Sequence, residues 1–354
     1  MIIDLDVVES NLAAMERYCR DAGVSLAPHA KTTLAPELVR RHLAHGAWAM
    51  TAALPRQVRG LHALGVPRIL LANELVDASA IAWVAEHLLA PDGPEFWCYA
   101  DSVAGVDRLS AGSAGASRPL SVLVEAGYPG GRTGTRDRAC ALAVARAVAA
   151  SPHLRLAGVA GYEGLLPLDE VDEFLDRLHG DVLALRDLFE ADRPIVTAGG
   201  SSYFDCVVAR LGPSRFDFPV RTVLRSGCYA VHDHGLYART APRGPGVPRL
   251  VPALELRASV LSVPEPGLAL VAFGRREAPT DDILPVVLGR DDLTVTAVND
   301  HHAYVRGAGA SSLSPGDVLR FGISHPCGVF DRWRTLTTTA GATIHTDLAG
   351  AVTA

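Results

Sequence analysis

The sequence predicts an α/β protein in which a (β/α)8 TIM-type barrel precedes a smaller, mostly β domain. Eight short apolar runs recur in the first two thirds of the chain, each with the length and composition of a buried strand. Stretches with helical spacing separate most of these runs, which is the alternation expected of a parallel barrel. A doubly wound open sheet would show the same alternation, so the strand count alone leaves that fold open.

The elements can be placed along the chain. The eight predicted barrel strands are Val24–Ala27, Ala47–Ala52, Arg68–Ala72, Phe96–Ala100, Leu120–Glu125, Leu156–Ala160, Pro194–Thr197 and Thr222–Leu224. Helical spacing is clearest in Asp6–Asp21, where Val8, Leu12, Met15 and Cys19 fall on one face. The other helical stretches are Ala35–His45, Ala78–Leu89, Arg138–Ala150 and Asp169–Glu190.

The second domain begins after a loop rich in proline and glycine, Thr240–Pro248. Short β-type runs separated by turn signals follow this loop, namely Leu254–Val263, Leu268–Phe273, Leu293–Val298 and Val318–Phe321. The predicted division is residues 1–238 for the barrel and 239–354 for the β domain. The first few residues of the chain can pack with the β domain.

Composition and charge exclude several classes of protein. The net charge of −6, without a basic block, argues against a nucleic-acid or membrane-surface partner. The amino terminus has no basic region typical of a secretory signal, and no apolar run approaches the ~20 residues that span a bilayer. The six cysteines are scattered without a CxxC pair, which is typical of reduced thiols in the cytosol. We therefore expect a cytoplasmic protein that acts on a small molecule.

Lysine occurs once in the chain, at Lys31, and arginine supplies the remaining 32 of the 33 Lys and Arg residues. Arginine replaces lysine as a surface charge, but its guanidinium stays protonated and cannot act as an amine nucleophile. A lysine amine can form a Schiff base with a carbonyl. Lys31 also follows the first predicted strand, at the end where barrels build active sites. It is therefore the first candidate for covalent chemistry, most plausibly with pyridoxal 5′-phosphate (PLP).

Two glycine-containing loops are suited to holding the phosphate of such a cofactor. The seventh predicted strand ends in Thr197-Ala-Gly-Gly-Ser-Ser202, and the eighth is followed by Arg225-Ser-Gly-Cys-Tyr229. The loops after these two strands are the usual phosphate site of barrels, because glycines allow backbone amides to approach phosphate oxygens. Gly-Gly-Ser alone is a weak signal, but its position relative to Lys31 strengthens the PLP interpretation.

Several motifs carry a family resemblance that spans nearly the whole chain. They are Pro28-His-Ala-Lys-Thr-Thr33, Ile3-Asp-Leu-Asp6 followed by Asn11-Leu12, Gly161-Tyr-Glu-Gly164, the Gly-Gly-Ser loop, Ser226-Gly-Cys-Tyr229, Asn299-Asp-His-His-Ala303, Ser324-His-Pro-Cys327 and Phe330-Asp-Arg-Trp333. With these motifs the chain resembles PLP enzymes of the alanine-racemase fold type (fold type III), in the D-serine dehydratase-like and D-threonine aldolase-like group. Family members often carry Thr-His-Lys where this chain has Thr32-Thr33-Leu34, a departure that resembles the amino-acid deaminase branch.

The resemblance implies a role for each matching residue. It implies that Lys31 binds PLP covalently and acts as a catalytic residue, and that Arg132 and Tyr162 face the cofactor. The implied cofactor-binding set is Lys31, Arg132, Tyr162, Thr197, Gly199, Gly200, Ser201, Gly227 and Tyr229. It further implies Tyr162 and His302 as catalytic residues and a homodimer as the assembly.

His325 and Cys327 form a candidate metal pair. Imidazole and thiolate are ligands that suit Zn²⁺, and Pro326 between them favours a turn that brings both to one ion. Taken alone, His-x-Cys is more often a buried cysteine beside a structural histidine. The resemblance implies a zinc site, because dehydratases of the family hold zinc with this pair, whereas the aldolase branch tends to have His-x-Asp. Cys327 therefore favours dehydration over aldol cleavage.

The resulting hypothesis is a PLP- and zinc-dependent dehydratase that converts a D-serine-like β-hydroxy D-amino acid into a keto acid and ammonia. The alternative is a D-threonine or 3-hydroxy-D-amino-acid aldolase, which gives glycine and an aldehyde. A racemase is less favoured because the β domain has no tyrosine in an obvious racemase motif, Tyr304 being the only tyrosine after Tyr237. A non-catalytic PLP-binding protein is less favoured because such proteins lack the β domain. His232 and His234 are interpreted as structural.

Overall fold

The computed structural model describes residues 1–348 and divides into two compact units. The first, here called the barrel unit, comprises Glu16–Lys31, His42–Gly227 and Leu348. The second, here called the β unit, comprises Met1–Met15, Thr32–Arg41 and Cys228–Asp347. The predicted division between residues 238 and 239 stays a prediction, and residues 349–354 of the predicted β domain lie outside the described residues.

The secondary-structure elements follow one another along the chain. The strands are β1 (Ile2–Ile3), β2 (Ser25–Leu26), β3 (Met50–Ala52), β4 (Arg68–Glu74), β5 (Glu95–Ala100), β6 (Leu120–Ala126), β7 (Leu154–Gly161), β8 (Ile195–Ala198), β9 (Arg221–Leu224), β10 (Leu254–Glu265), β11 (Leu268–Val271), β12 (Val286–Val287), β13 (Thr294–Val298), β14 (Ala303–Arg306), β15 (Val318–Gly322), β16 (Thr335–Thr338) and β17 (Thr343–His345). The helices are α1 (Leu5–Asp21), α2 (Pro36–Ala44), α3 (Pro55–Ala63), α4 (Ala78–His87), α5 (Val103–Ser113), α6 (Arg138–Ala149), α7 (Leu168–Ala184), α8 (Phe204–Leu211), α9 (Leu236–Thr240) and α10 (Cys327–Arg332).

The barrel unit is a parallel eight-stranded sheet with the order β2-β9-β8-β7-β6-β5-β4-β3. Its two end strands are joined by backbone bonds from Trp48 N–H to the Leu26 carbonyl (2.8 Å) and from Thr51 N–H to the Pro28 carbonyl (2.8 Å). A parallel bridge between His29 and Thr51 lies beside them. The curled sheet is therefore closed, which confirms the predicted fold class and excludes the open doubly wound sheet.

The strands of this barrel read as continuous apolar runs because both of their faces are buried. The interior is filled by side chains from successive strands, including Leu70, Trp97, Leu123 and Ile195. Three of the outer helices begin at a side-chain cap: Asp77, Ser102 and Asp137 accept the N–H of Ala80, Gly105 and Cys140, respectively. The interior is thus packed, and the strand ends are left to carry the polar chemistry.

The β unit is a nine-stranded sheet whose main path is β13-β14-β11-β10-β1-β16-β17, with β15 pairing with β10 and β12. Strand β1 lies antiparallel to β10 and parallel to β16, so the first residues of the chain belong to this sheet. Asn11 strengthens the same unit by donating to the Ala230 carbonyl (3.0 Å) and the Val251 carbonyl (2.8 Å). Within residues 1–348, no helix has the length and apolar character needed to cross a membrane.

Candidate active site

Lys31 lies in a single turn of 3-10 helix, Ala30–Thr32, that follows β2 at the carboxyl end of the barrel strands. The bridge between His29 and Thr51 fixes the backbone just before it. The Lys31 side chain is exposed, so its amine is accessible to a reactant. Burial of the His29 ring, followed by the positive charges of Lys31, Arg225 and Arg132, holds the pKa of His29 well below its usual range. His29 is therefore neutral beside a cluster of cations.

Three buried polar atoms around this cluster have no hydrogen-bond partner in the described chain. They are Nδ1 of His29, the hydroxyl of Tyr99 and Nε of Arg225. Each residue lies at or next to the carboxyl end of a barrel strand, namely β2, β5 and β9. Leaving such atoms unpaired is costly, so their presence together indicates a site built for a polar ligand. The residues thus fit a cofactor that brings both hydrogen-bonding and anionic groups.

Glu74, at the end of β4, adds a neutral group to this site. Burial, with contributions from the neighbouring Glu125 and Asp101, raises the pKa of Glu74 to about 9. A carboxyl group with such a pKa is protonated at neutral pH and can donate a hydrogen bond. Glu74 therefore adds no negative charge beside the cations Lys31, Arg132 and Arg225.

Arg132 and Tyr162 contact each other, since the guanidinium of Arg132 lies 4.7 Å from the centre of the Tyr162 ring; that both face the cofactor stays a prediction. The loop that carries Arg132 is held by Arg136, which donates to the carbonyls of Thr133 (3.0 Å) and Gly134 (2.7 Å). Asp101 accepts the N–H of Gly134 at 3.0 Å and ties the loop to the end of β5. Arg132 is thus presented on a fixed loop.

The glycine loop after β8 is held by a residue that the sequence analysis did not assign. The N–H groups of Gly199 and Gly200 donate to the carboxylate of Glu163 at 3.0 Å and 3.2 Å. Glu163 is fully buried, and this burial raises its pKa. Gly199 has φ +93°, a conformation that favours glycine. Two amides predicted to bind phosphate are therefore engaged by Glu163, and phosphate binding by this loop stays a prediction.

The remaining predicted cofactor residues belong to the barrel unit, except for Tyr229. Thr197 is buried, donates to the Val223 carbonyl (2.8 Å) and accepts from Arg225 (2.6 Å). Ser201 and Gly227 are buried in the barrel unit. Tyr229 is buried and belongs to the β unit. Thr197 is thus placed to position Arg225, while the contacts of the others with PLP remain predictions.

The β unit carries the predicted metal pair between β15 and α10. His325 has φ +53°, a strained conformation for a non-glycine residue that is common at functional sites. Its N–H donates to Oδ2 of Asp233 (2.9 Å), while Oδ1 of Asp233 accepts the N–H of Gly235 (3.0 Å) and Tyr237 (2.9 Å). Buried Asp233 therefore fixes the backbone of His325.

The side chains of this pair are close to other polar groups of the β unit. Sγ of Cys327 lies 3.4 Å from Sγ of Cys228 and 3.7 Å from the hydroxyl of Thr32, the residue after Lys31 in the chain. Nδ1 of His325 is paired with Asp281. Hydrogen bonding to Cys327 and then to Asp281 raises the pKa of His325 to about 9. Hydrogen bonds from Cys228 and His325 lower the pKa of Cys327 well below its usual range.

The contacts of His325 and Cys327 decide whether the pair fits a zinc ion. Among residues 1–348, no group of three or more His, Cys, Asp or Glu side chains is arranged to hold a metal ion. Asp281 nevertheless pairs with Nδ1 of His325, so a metal would be held through Nε2, and a carboxylate commonly supports a ligating histidine in this way. The donors are an imidazole and a thiol, which suit zinc with further ligands from water or substrate. All six cysteines are free thiols, as expected.

His302 is less informative. It is exposed in the turn between β13 and β14, where its carbonyl accepts the N–H of Asn299 at 2.8 Å. The neighbouring His301 pairs with Glu277 at 2.7 Å. A catalytic role for His302 stays a prediction. Of the histidines interpreted as structural, His232 is buried and His234 is half-buried.

Comparison with known proteins decides the family. A family model described as "Alanine racemase, N-terminal domain" matches residues 3–209, more than half of the chain. The chain belongs to this family. A second model, described as "Putative serine dehydratase domain", matches residues 253–339 in the β unit. Together the two matches confirm the D-serine dehydratase-like and D-threonine aldolase-like group within the alanine racemase-type proteins.

Two curated relatives match this alanine racemase-type chain over most of their length. D-threonine aldolase of an Arthrobacter species is 29% identical over 335 residues, which is 92% of this chain and 84% of the relative. A 3-hydroxy-D-aspartate aldolase of Paracoccus denitrificans is 26% identical over 345 residues, which is 94% of this chain and 86% of the relative. Both act on 3-hydroxy-D-amino acids, as their names state.

Solved structures agree with the fold. D-threonine aldolase from Filomicrobium marinum superposes with a TM-score of 0.85 at 25% identity, covering 99% of this chain and 95% of that one. D-threo-3-hydroxyaspartate dehydratase from Delftia sp. HT23 gives a TM-score of 0.79 at 22% identity, covering 98% and 96%. The second likeness shows the shared fold. Membership of the family supports PLP as the cofactor and a lyase as the class of enzyme.

Proposed function

We propose that this protein is a PLP-dependent dehydratase that converts a 3-hydroxy-D-amino acid into a keto acid and ammonia. The observation that carries the cofactor assignment is the environment of Lys31. The only lysine of the chain stands beside His29, and unpaired buried atoms of His29, Tyr99 and Arg225 lie at the carboxyl ends of the same barrel. The names of the relatives support a 3-hydroxy-D-amino acid as the substrate class. A D-serine-like substrate is the narrower form of the proposal.

PLP bound at Lys31 would supply an electron-withdrawing ring that makes the α-proton of an attached amino acid removable. In this mechanism the amine Nζ of Lys31 would be the base that accepts the α-proton of the substrate. Arg225 is oriented by Thr197 and by the Gly161 carbonyl (2.6 Å), so its guanidinium keeps one direction through the reaction. Arg132, stacked on Tyr162, supplies a second fixed positive charge for an anionic group.

His325 and Cys327 would hold zinc through Nε2 and Sγ, and the metal would act as a Lewis acid toward the β-hydroxyl of the substrate. Asp281 orients the His325 ring from its other nitrogen. Cys228 and Thr32 lie against Sγ of Cys327 and fix the thiol. Asp281, Cys228 and Thr32 therefore act by holding the side chains of His325 and Cys327 in position.

Cys327 is also the reason to prefer dehydration. A thiolate favours zinc over harder metals, and zinc held by Cys327 would supply the Lewis acidity that helps a hydroxyl group to leave. The second candidate is an aldolase that cleaves the same substrate into glycine and an aldehyde. It is favoured by the names of both relatives, D-threonine aldolase and 3-hydroxy-D-aspartate aldolase.

A product assay separates the two candidates. The purified protein is supplied with PLP and zinc and incubated with the D- and L-forms of serine, threonine and 3-hydroxyaspartate. Keto acid and ammonia from a D-substrate support the dehydratase, whereas glycine and an aldehyde support the aldolase. Turnover confined to L-substrates, or none with any member of the panel, would overturn the proposed substrate class.

A donor exchange tests the reason for preferring zinc. Cys327→Asp replaces a soft ligand with a hard one, so we expect the preference for zinc over manganese and magnesium to fall, with a smaller fraction of the sites holding zinc. Metal content after dialysis against an equimolar mixture of the three ions measures this change. Cys140→Asp is the matched control, because Cys140 is exposed on α6 and its replacement should leave the bound metal unchanged.

We further propose a homodimer in the cytoplasm. Six free cysteines and the absence of a helix able to cross a membrane within residues 1–348 are compatible with this location. Light scattering at several protein concentrations would measure the mass of the particle. A monomer at all concentrations would contradict the dimer.

A further inference from the structure

The barrel unit contains a charged cavity at the amino-terminal ends of its strands, and therefore at the opposite end of the sheet from Lys31. Its volume is about 500 Å³, which is within the range of small-molecule sites. Five arginines line it, and each lies at or just before the start of a different barrel strand, namely β4, β6, β7, β8 and β9. They are Arg68, Arg118, Arg155, Arg193 and Arg221. All the lining residues belong to the barrel unit.

The charge of this cavity is unbalanced. Only two acidic residues, Glu95 and Asp192, line it beside the five arginines, which leaves a net charge of +3. Burial, followed by the charges of Arg193 and Arg68, lowers the pKa of Arg221. Like charges held this close repel one another, and an anion bound between them would remove the repulsion.

The guanidinium groups are held in place by the protein while keeping N–H groups for a ligand. Nε of Arg68 donates to Glu95 (2.7 Å), and Nε of Arg193 donates to the Val220 carbonyl (2.9 Å). Arg155 donates through one terminal nitrogen to the Glu190 carbonyl (3.0 Å). A guanidinium carries five N–H donors in a fixed plane, so each of these bonds fixes the group and uses only part of it.

Arg118 adds an unsatisfied donor. One of its terminal nitrogens donates to the carbonyls of Leu88, Gly93 and Pro94, which fixes the head group. Its Nε atom is buried and has no hydrogen-bond partner in the described chain. A buried N–H group without an acceptor costs free energy, which favours the binding of an acceptor next to it.

Trp48 limits the kind of ligand. The guanidinium groups of Arg221 and Arg68 lie 4.9 Å and 5.9 Å from the centre of its ring, and Trp97 packs against it at 5.1 Å. These contacts orient the arginines and already occupy the aromatic surface. The groups available for recognition are therefore donors suited to phosphate oxygens, which arginine binds in a planar, bidentate way.

We propose that this cavity binds a compact anion with two linked phosphate groups. The diphosphate can be free inorganic diphosphate or the diphosphate part of a nucleotide, since the same oxygens would meet the same guanidinium groups. The arginines keep their charge at all physiological pH values, so the site is suited to binding rather than to proton transfer. This proposal does not depend on the reaction proposed for Lys31.

Titration calorimetry of the PLP-loaded, full-length protein tests this directly. The ligands are inorganic diphosphate, ADP, inorganic phosphate and sulfate at physiological ionic strength. We expect saturable binding of diphosphate or ADP at one site per chain, at least tenfold tighter than phosphate or sulfate. Diphosphate binding at least as tight as that of ADP identifies free diphosphate as the ligand, whereas tighter ADP binding identifies a nucleotide.

The variants Arg155→Gln and Arg193→Gln change exposed residues at the edge of the cavity and leave Trp48 and its stacked guanidinium groups in place. Each should weaken diphosphate binding by about tenfold or more, because each removes charge-assisted hydrogen bonds. The matched control is Arg56→Gln, an exposed arginine on α3 of the same unit, which should leave binding unchanged. Absence of saturable binding, or equal binding by wild type and both edge variants, would overturn the proposal.

Discussion

The two ends of the barrel strands carry opposite kinds of chemistry. The carboxyl ends hold a single lysine, a neutral histidine, a protonated Glu74 and buried polar atoms that have no hydrogen-bond partner within residues 1–348. The amino ends hold five arginines around a cavity of about 500 Å³. Lysine, histidine and glutamate can be tuned to exchange protons, whereas arginine cannot. The comparison supports the proposals that the carboxyl ends carry out the reaction and that the amino ends bind an anion.

The largest expected effect is at the carboxyl end. Lys31→Ala should abolish covalent PLP binding and lower turnover by a factor on the order of 10³ or more, because it removes both the attachment point and the base. The double variant Lys31→Ala/Arg56→Lys is the control, since an amine elsewhere on the surface should restore neither property. At the amino end, Arg193→Gln should leave turnover within about twofold of wild type. A large loss of turnover in Arg193→Gln would break the comparison.

The second-largest effect is expected at the metal pair of the β unit, His325 and Cys327. His325→Ala and Cys327→Ala should each remove bound zinc and lower activity by roughly 10²-fold or more, while PLP absorbance is retained. Metal analysis and visible spectroscopy on the same samples separate the two effects, with Cys140→Ala as the control. Full activity of wild type after exhaustive chelation would contradict the role of the metal.

Asp281 should show a smaller effect of a different kind. Asp281→Asn keeps the shape of the side chain but removes the carboxylate that orients His325. We expect zinc to bind about 10- to 100-fold more weakly, as is usual when the carboxylate partner of a metal-bound histidine is lost. A zinc-chelator competition assay measures the affinity, and excess zinc should restore the activity. Unchanged affinity would mean that Asp281 does not position the ring.

Glu74 should have the smallest effect on turnover, and its effect is visible in the pH dependence of stability. The pKa of Glu74 is raised to about 9 in the fold, mainly by burial. The folded state therefore holds this proton where the unfolded state has lost it, so its stabilising contribution declines as pH rises from the ordinary glutamate pKa toward 9. Glu74→Gln should flatten this decline, by up to roughly 1 kcal/mol per pH unit. Urea unfolding from pH 5 to pH 9 measures it; parallel curves for both proteins would contradict the assignment.

The barrel could be predicted well from the sequence. All eight predicted strands correspond to β2 through β9, because strands buried on both faces leave continuous apolar runs. In the β unit, the predicted runs match β10, β11, β13 and β15. The short strands β12, β14, β16 and β17 were not predicted, because runs of only two to four residues are too brief for an alternating apolar pattern to be recognised.

The site was predictable where chemistry is concentrated in one motif. Lys31 stood out because the chain has no second lysine, and His325 and Cys327 stood out by their spacing. Glu163 and Asp281 did not stand out in the sequence, although Glu163 lies within the motif Gly161-Tyr-Glu-Gly164. A carboxylate that holds a loop or a ring has no sequence signature, since its partners are brought to it only by the fold.

The arginine cavity was unpredictable for the same reason. Its arginines are spread from Arg68 to Arg221 and stand in no common motif, and only the order of the strands brings them together. In the sequence they read as ordinary members of an arginine-rich composition. The lesson is that a charged cavity built from strand starts needs the structure, whereas a lone lysine does not.

The central claim is tested most directly by reducing the PLP-loaded protein with borohydride and mapping the modified residue by mass spectrometry. The expected result is one phosphopyridoxyl group per chain, on the peptide that contains Lys31. A protein that remains unmodified, or a label found only on the amino terminus at Met1, would contradict the account.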